Sequence, residues 1–183
     1  MASSFGENER LLTSAETALI RRVFRTTQLP TVGRIRIRDG ISPKGTAFAA
    51  PRERVVLDSG MPVRTEGEYL IMVGPQLFEG DVAAMEPDTL VHEMTHVWQY
   101  MHGTVGEYEA ALKHLGAAAI RDTDRLYRYH VGQTWDDMGF EGQAQLVQEW
   151  FTLDNMSEAT DRWLYVKHVL MLGEVGARSL TLA

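Results

Sequence analysis

The 183-residue chain contains no cysteine. That excludes a disulfide scaffold, a thiolate zinc site and a cysteine nucleophile. It also lacks any apolar run approaching the length of a membrane span, so no transmembrane helix is expected. Its opening, MASSFGENER, reads as having no signal-peptide core. Positive charge is in deficit, with 18 Lys/Arg against 25 Asp/Glu and a net charge of −7. A nucleic-acid partner held through phosphate contacts is therefore not expected. There is no internal repeat, low-complexity tract or clear linker. What is present is an ordinary globular balance, 44% hydrophobic and 23% charged, and the reading is one domain over residues 1–183.

Charge is unevenly spread. Residues 1–64 carry 11 Lys/Arg and 6 Asp/Glu, whereas residues 65–183 carry 7 and 19. A small basic face on an acidic domain accounts for this, and the basic part is also suited to docking on an acidic neighbour such as a parent protein.

The pattern predicts a helix, then a small sheet, then a helical half, which is an α+β layout. Thr13 and Glu16 have capping-box spacing for a helix over about 13–27, with Ala15, Leu19, Ile20 and Val23 as its apolar stripe. Alternation predicts a strand over 33–39, with Ile35 and Ile37 on one face and Arg34, Arg36 and Arg38 on the other. Further strands are predicted over 54–58 and 68–73, separated by Gly/Pro-rich connections. From Pro87 the period becomes helical, with Leu90, Val91, Met94, Val97, Trp98 and Met101 leading to Gly103. Helices are also predicted over 108–129, 139–154 and 158–173, with Asn155 as the cap of the last.

Inside the helix from Pro87 lies His92-Glu93-Met94-Thr95-His96, an HExxH motif. Histidines four residues apart point about 40° apart around a helix, so their imidazoles can converge on one metal ion. The glutamate beside the first histidine then flanks the metal's open position, where it can take a proton from water and return it to a leaving amine. Zinc suits this chemistry best.

A third ligand is needed. His102 stands six residues after His96, the metzincin spacing, but that arrangement places glycine midway to stop the helix, and here Gln99 stands there. If the helix continues, His102 lies about 120° round and roughly 9 Å further along the axis, out of reach of the same ion. The alternative is an acid from a later helix. Glu141, near the start of Phe140–Phe151, comes first, with Gly142 and Ala144 allowing close helix packing. Glu149, and then Glu107 and Glu109, are further candidates. A first-turn carboxylate on a helix dipole would equally explain Glu141.

LVHEMTHVWQ followed by FEGQAQLVQEWF resembles the gluzincin-type metallopeptidase domains of bacterial polymorphic toxins, and more closely the C-terminal metallopeptidase extension of type VI secretion VgrG spike proteins. The close resemblance covers about residues 87–154. It implies a zincin-like fold, with His92, His96 and Glu141 as Zn2+ ligands and Glu93 as general base. The downstream block departs from the family at its second position, where Gly142 replaces the usual glutamine. The resemblance also implies a protein or peptide substrate, a parent spike protein, an immunity protein, delivery by type VI secretion and action in the target-cell periplasm.

Other residues are assigned more blandly. Tyr127, Tyr129, His130, Tyr165 and His168 are candidates for stabilising an oxyanion. The segment 68–73 is a candidate edge strand for an extended substrate, or an ordinary core strand. Asp88, Asp122, Asp124, Asp136 and Asp137 read as turn or cap residues, one of which could hold the outer nitrogen of a ligand histidine. Trp98, Trp135, Trp150 and Trp163 read as core, and His114 has no identifiable partner. The expectation is thus a zinc metallopeptidase. The rivals are a zincin-shaped adaptor with a structural metal, or a metal-dependent amidase acting on peptidoglycan.

Overall fold

Thr13 ends its strand-like approach with its hydroxyl accepting from the Glu16 N–H at 3.0 Å, while the Glu16 carboxylate accepts from the Thr13 N–H at 2.8 Å. This capping box starts helix α1 (Ser14–Phe24), whose buried side is Glu16, Ile20, Val23 and Phe24. The computed structural model describes residues 8–25, 29–40, 47–51, 67–102 and 127–171. The predicted segments 54–58 and 108–126, together with Glu107, Glu109, His114, Asp122 and Asp124, lie outside them. Helix α1 stops short of the predicted Thr27 because Arg25 takes a positive φ of 47°, which breaks the helical path.

The fold is α+β, with a small mixed sheet beside helices. Strands β1 (Glu9–Leu11), β2 (Ile35–Asp39), β3 (Phe48–Pro51) and β4 (Tyr69–Val73) lie in the order β1-β2-β4-β3. The β2–β4 pair is parallel, with Ile37 opposite Ile71, and the two outer pairs are antiparallel. Residues 68–73 are therefore not an edge, since β4 is paired on both sides. Among the described residues the outer strands are β1 and β3. Ile35, Ile37, Tyr69, Ile71 and Val73 are all buried, as alternation predicts, but so is Arg36 on the opposite face, where it reaches Glu68 at 3.5 Å. Of the predicted outward arginines, Arg38 is half exposed.

Two short helices, α2 (Pro75–Glu79) and α3 (Val82–Met85), lead into α4 (Pro87–Met101). Every residue of α4 from Leu90 to Gln99 is buried. The sheet edge, α1 and α3 cover one side of it, and α5 (Gly139–Thr152) covers the other. A helix enclosed in this way must bury its polar residues as well as its apolar ones. The four tryptophans are core, as expected, with Trp150 and Trp163 stacked at 5.5 Å.

The last helix, α6 (Asp161–Tyr165), starts later than predicted and continues into π-helical turns over Val166–Met171. Asn155 does not cap it. Asn155 and Met156 both have positive φ, and they fold the chain back so that the Met156 N–H donates to the Trp150 carbonyl at 2.9 Å. Asparagine tolerates that backbone region, and here it ends α5 instead of starting α6. Among the described residues no helix is long and apolar enough to cross a membrane.

The sheet and the helices are tied together at Glu16, which is fully buried. Its carboxylate accepts two hydrogen bonds from the Arg10 guanidinium, each 2.9 Å, and one from the Val82 N–H at 2.9 Å, in addition to Thr13. Arg10 also donates through Nε to the Phe78 carbonyl at 2.7 Å. One carboxylate therefore joins β1, α1, α2 and α3. Glu16→Ala would strand a guanidinium and an N–H inside the protein, and is expected to cost about 3–5 kcal/mol of stability in urea denaturation. A loss of about 1 kcal/mol or less, the size typical of solvated ion pairs, would contradict this role.

Candidate metal centre

Helix α4 turns His92 and His96 toward the first turn of α5, where Glu141 stands. The two imidazole Nε2 atoms are 3.1 Å apart, and each lies 3.3 Å from Glu141 Oε2. Gly139 makes this approach possible. With φ +70° it redirects the chain after the 3-10 turn Asp136–Met138, a conformation that favours glycine. Gly142 does not face α4 as expected. A Cβ there would touch Met138 and residues 128–129 at 3.5–3.6 Å, so its small size serves the segment that leads into α5.

The outer nitrogens of both histidines are held by glutamine side chains. His92 Nδ1 lies 2.9 Å from Gln148 Oε1, and Gln148 Nε2 donates to Asp88 Oδ2 at 3.2 Å. His96 Nδ1 lies 2.7 Å from Gln99 Oε1, and Gln99 Nε2 donates to the Phe140 carbonyl and to Gln143 Oε1, both at 2.8 Å. Gln143 in turn donates to the Trp135 carbonyl at 2.9 Å. Carboxylates and carbonyls only accept, so each amide nitrogen is fixed on its far partner and each amide oxygen faces a ring. Both Nδ1 atoms are therefore donors, and both Nε2 atoms carry lone pairs.

Two lone pairs and a carboxylate oxygen converging in a buried place require a cation. A proton on the His96 ring is one such cation. Although burial pulls the His96 value down, the hydrogen bond and charge of Glu141, with help from Glu93 and Gln99, raise it above the usual imidazole range. Burial would likewise raise the Glu141 carboxyl, but the hydrogen bonds and charges of His92 and His96 hold it well below the usual carboxylate range. The donor set also fits zinc. Tetrahedral ligands at about 2.0–2.1 Å from a metal stand roughly 3.3 Å from one another, which matches the triangle of 3.1, 3.3 and 3.3 Å.

Glu93 is 5% exposed and stands on α4 next to His92. Burial raises its carboxyl above the ordinary value, against the pull of His96 and His92 and of a hydrogen bond from the Ala49 main chain in β3. Its Oε2 has no hydrogen-bond partner among the described residues. His92, Glu93 and Gln148 open onto a cleft of about 640 Å³, also lined by Gly74, Leu77, Tyr127 and Gln145. Glu93 thus stands at the wall of the cleft with one carboxylate oxygen buried and without a partner among the described residues.

The remaining candidates lie elsewhere. His102 ends α4, with Nδ1 donating to the Trp98 carbonyl at 2.8 Å and its ring stacked on Trp98, so it takes no part in the cluster. Glu149 is held by Arg162 Nη2 at 2.7 Å and by the Tyr129 hydroxyl at 2.5 Å. That network occupies both Glu149 and Tyr129. The Tyr165 hydroxyl bridges Gly132 N–H and the Gln133 carbonyl, and His130 is exposed. Of the five proposed oxyanion residues, Tyr127 lines the cleft, its ring 5.9 Å from that of His92. Asp88 reaches His92 only through Gln148, while Asp136 and Asp137 are exposed. Sequence reasoning missed Gln99 and Gln148 as partners of the histidines. The available signal was spacing, because Gln148 follows Glu141 by two helical turns and Gln99 follows His96 by one.

An α+β domain with an HExxH helix and a carboxylate facing it across the next helix is what the geometry defines. No protein-family model matches the chain, and no solved structure matches it. The chain is similar to the type VI secretion system spike protein VgrG2b of Pseudomonas aeruginosa, at 29% identity over 154 residues. The match covers 81% of this chain but 13% of that protein. The chain thus spans a small part of the length of the spike protein to which it is similar.

The protonation states predict how zinc should act on stability. The raised His96 value contributes stability that is complete below the unfolded imidazole value of about 6.5 and is lost as pH rises through the higher folded value. The lowered Glu141 value contributes stability above about pH 4.3, lost only as pH falls through its depressed folded value. Without metal, these two groups support the fold best between about pH 4.5 and 6.5. A zinc ion held by these residues would compete with the His96 proton, so the rise in Tm on adding zinc should be larger at about pH 8 than at about pH 5.5. An equal rise at both would contradict this assignment.

Proposed function

We propose that the chain is a zinc-dependent metallopeptidase domain of the zincin type, acting in type VI secretion. The observation that carries this reading is the His92–His96–Glu141 triangle, sized for a tetrahedral ion, with Glu93 beside it in the wall of the cleft. His92, His96 and Glu141 would hold the zinc, which when bound polarises a scissile carbonyl and makes water more acidic. A water in the cleft gives a proton to the Glu93 carboxylate as its oxygen adds to the scissile carbonyl carbon, and Glu93 passes that proton to the amine nitrogen as the C–N bond breaks. Its raised carboxyl value suits both halves of that transfer. Tyr127, which lines the cleft with its ring 5.9 Å from that of His92, is the candidate to donate to the developing oxyanion.

Substrate binding falls to β3. Among the described residues it is an outer strand of the sheet, its Ala49 main chain touches Glu93, and Ala47 just before it lines the cleft. An extended peptide added to that edge would be recognised through main-chain hydrogen bonds with little side-chain selectivity. The similarity to a spike protein supports delivery through a type VI system as part of, or together with, such a protein. The target-cell periplasm is then the site of action, and an immunity protein is the expected counterpart in the producing cell.

Glu93→Ala is expected to retain one zinc per chain by mass spectrometry while losing hydrolysis of a casein or peptide substrate. His92→Ala and His96→Ala should lose both zinc and hydrolysis, and His102→Ala should keep both. Full hydrolysis by the Glu93 variant would refute the mechanism, and loss of zinc from the His102 variant would refute the ligand set.

A further inference from the structure

The two histidines are wired differently. The His96 relay is sealed, because Gln99 is fully buried, Gln143 nearly so, and both end on main-chain carbonyls. The His92 relay runs along the cleft wall. Gln148 lines the cleft, is only partly buried, and ends on the Asp88 carboxylate at the first turn of α4. His92 is also less enclosed by rings than His96. His96 lies flat on Phe140 with centroids 4.3 Å apart, whereas His92 has Tyr127 tilted at 5.9 Å. A ring with less packing around it depends more on its hydrogen bond to keep its angle.

We infer that Gln148, anchored by Asp88, is the positioning residue of His92. Its amide oxygen fixes the Nδ1–H tautomer and aims Nε2 at the point shared with His96 and Glu141. The inference rests on the metal-centre reading above. A carboxylate at position 148 could accept the same hydrogen bond, but it would stand 3.2 Å from Asp88 Oδ2 with like charge. Glu93 and Glu141 already place two carboxyls around the histidines. The neutral amide keeps the acceptor for His92 and leaves the Asp88 carboxylate on the far side of Gln148.

The test compares zinc affinity by chelator competition, and the visible spectrum of the cobalt-substituted protein, in four chains. Gln148→Met keeps the length and removes the acceptor. Gln148→Glu combined with Asp88→Asn restores an acceptor toward His92 and a donor behind it. Gln145→Met removes another cleft glutamine, one that donates to Glu149 at 3.1 Å and is not bonded to either histidine. The wild-type chain is the reference. Zinc affinity should fall about 10–100-fold in Gln148→Met, with an altered cobalt spectrum and an unchanged metal-free Tm. The double variant should regain wild-type affinity and spectrum, and Gln145→Met should match wild type throughout. Wild-type affinity in Gln148→Met, or equal weakening in all three variants, would overturn the positioning role while leaving the metal centre intact. Failure of the wild-type chain itself to take up zinc would overturn the metal centre and this role with it.

Discussion

Two imidazole lone pairs and a carboxylate oxygen are held about one van der Waals contact apart in a buried place, and that arrangement is tolerable only with a positive charge among them. An uncompensated buried carboxylate costs several kcal/mol, a large share of the stability of any domain this size. The packing of α5 on α4 therefore depends on a cation as well as on apolar area. Leu146, Val147 and Trp150 bury the apolar side of α5. Glu141 at its head gains only if His92 and His96 offer a proton or share a metal.

The same constraint explains the polar content of α4. A helix buried along ten consecutive residues would normally be apolar all round. Here His92, Glu93, Thr95, His96 and Gln99 are buried with it. Thr95 donates to the Val91 carbonyl within the helix, the histidines and Gln99 satisfy one another through the amide relays, and Glu93 is partly met by Ala49. What stays without a hydrogen-bond partner among the described residues of this helix is one buried oxygen of Glu93 and the indole N–H of Trp98. Polar satisfaction is thus incomplete at the acid beside the histidines, a departure of the kind that functional sites show.

Local signals carried most of what was legible in the sequence. The Thr13–Glu16 capping box, the helix from Pro87, the helix from Gly139 and the convergence of His92 and His96 all follow from spacings within one or two helical turns. Glu141 was legible as a candidate because a carboxylate among few charges at a helix start asks for a partner. Strand order was not legible, since 68–73 reads equally well as edge or centre until β2 and β3 are seen on either side. The short helices α2 and α3 lack a full apolar period, and the left-handed turn at Asn155 looks like a helix start. Gln99 and Gln148 escaped notice because a glutamine's role is set by what faces it across the helix pair, and a linear pattern does not contain that.

The centre draws Ala49 from an edge strand, the histidines from α4 and Gln148 from the far end of α5, so its parts are widely separated along the chain. Loop-closure entropy makes such a constellation late to assemble in folding, after the local helices have formed. A partly folded chain with α4 alone formed would hold both histidines and still lack the opposing carboxylate, the amide bonded to His92 and the main-chain contact to Glu93. On the proposed reading, a hydrolytic centre would then be complete only once these long-range contacts have closed.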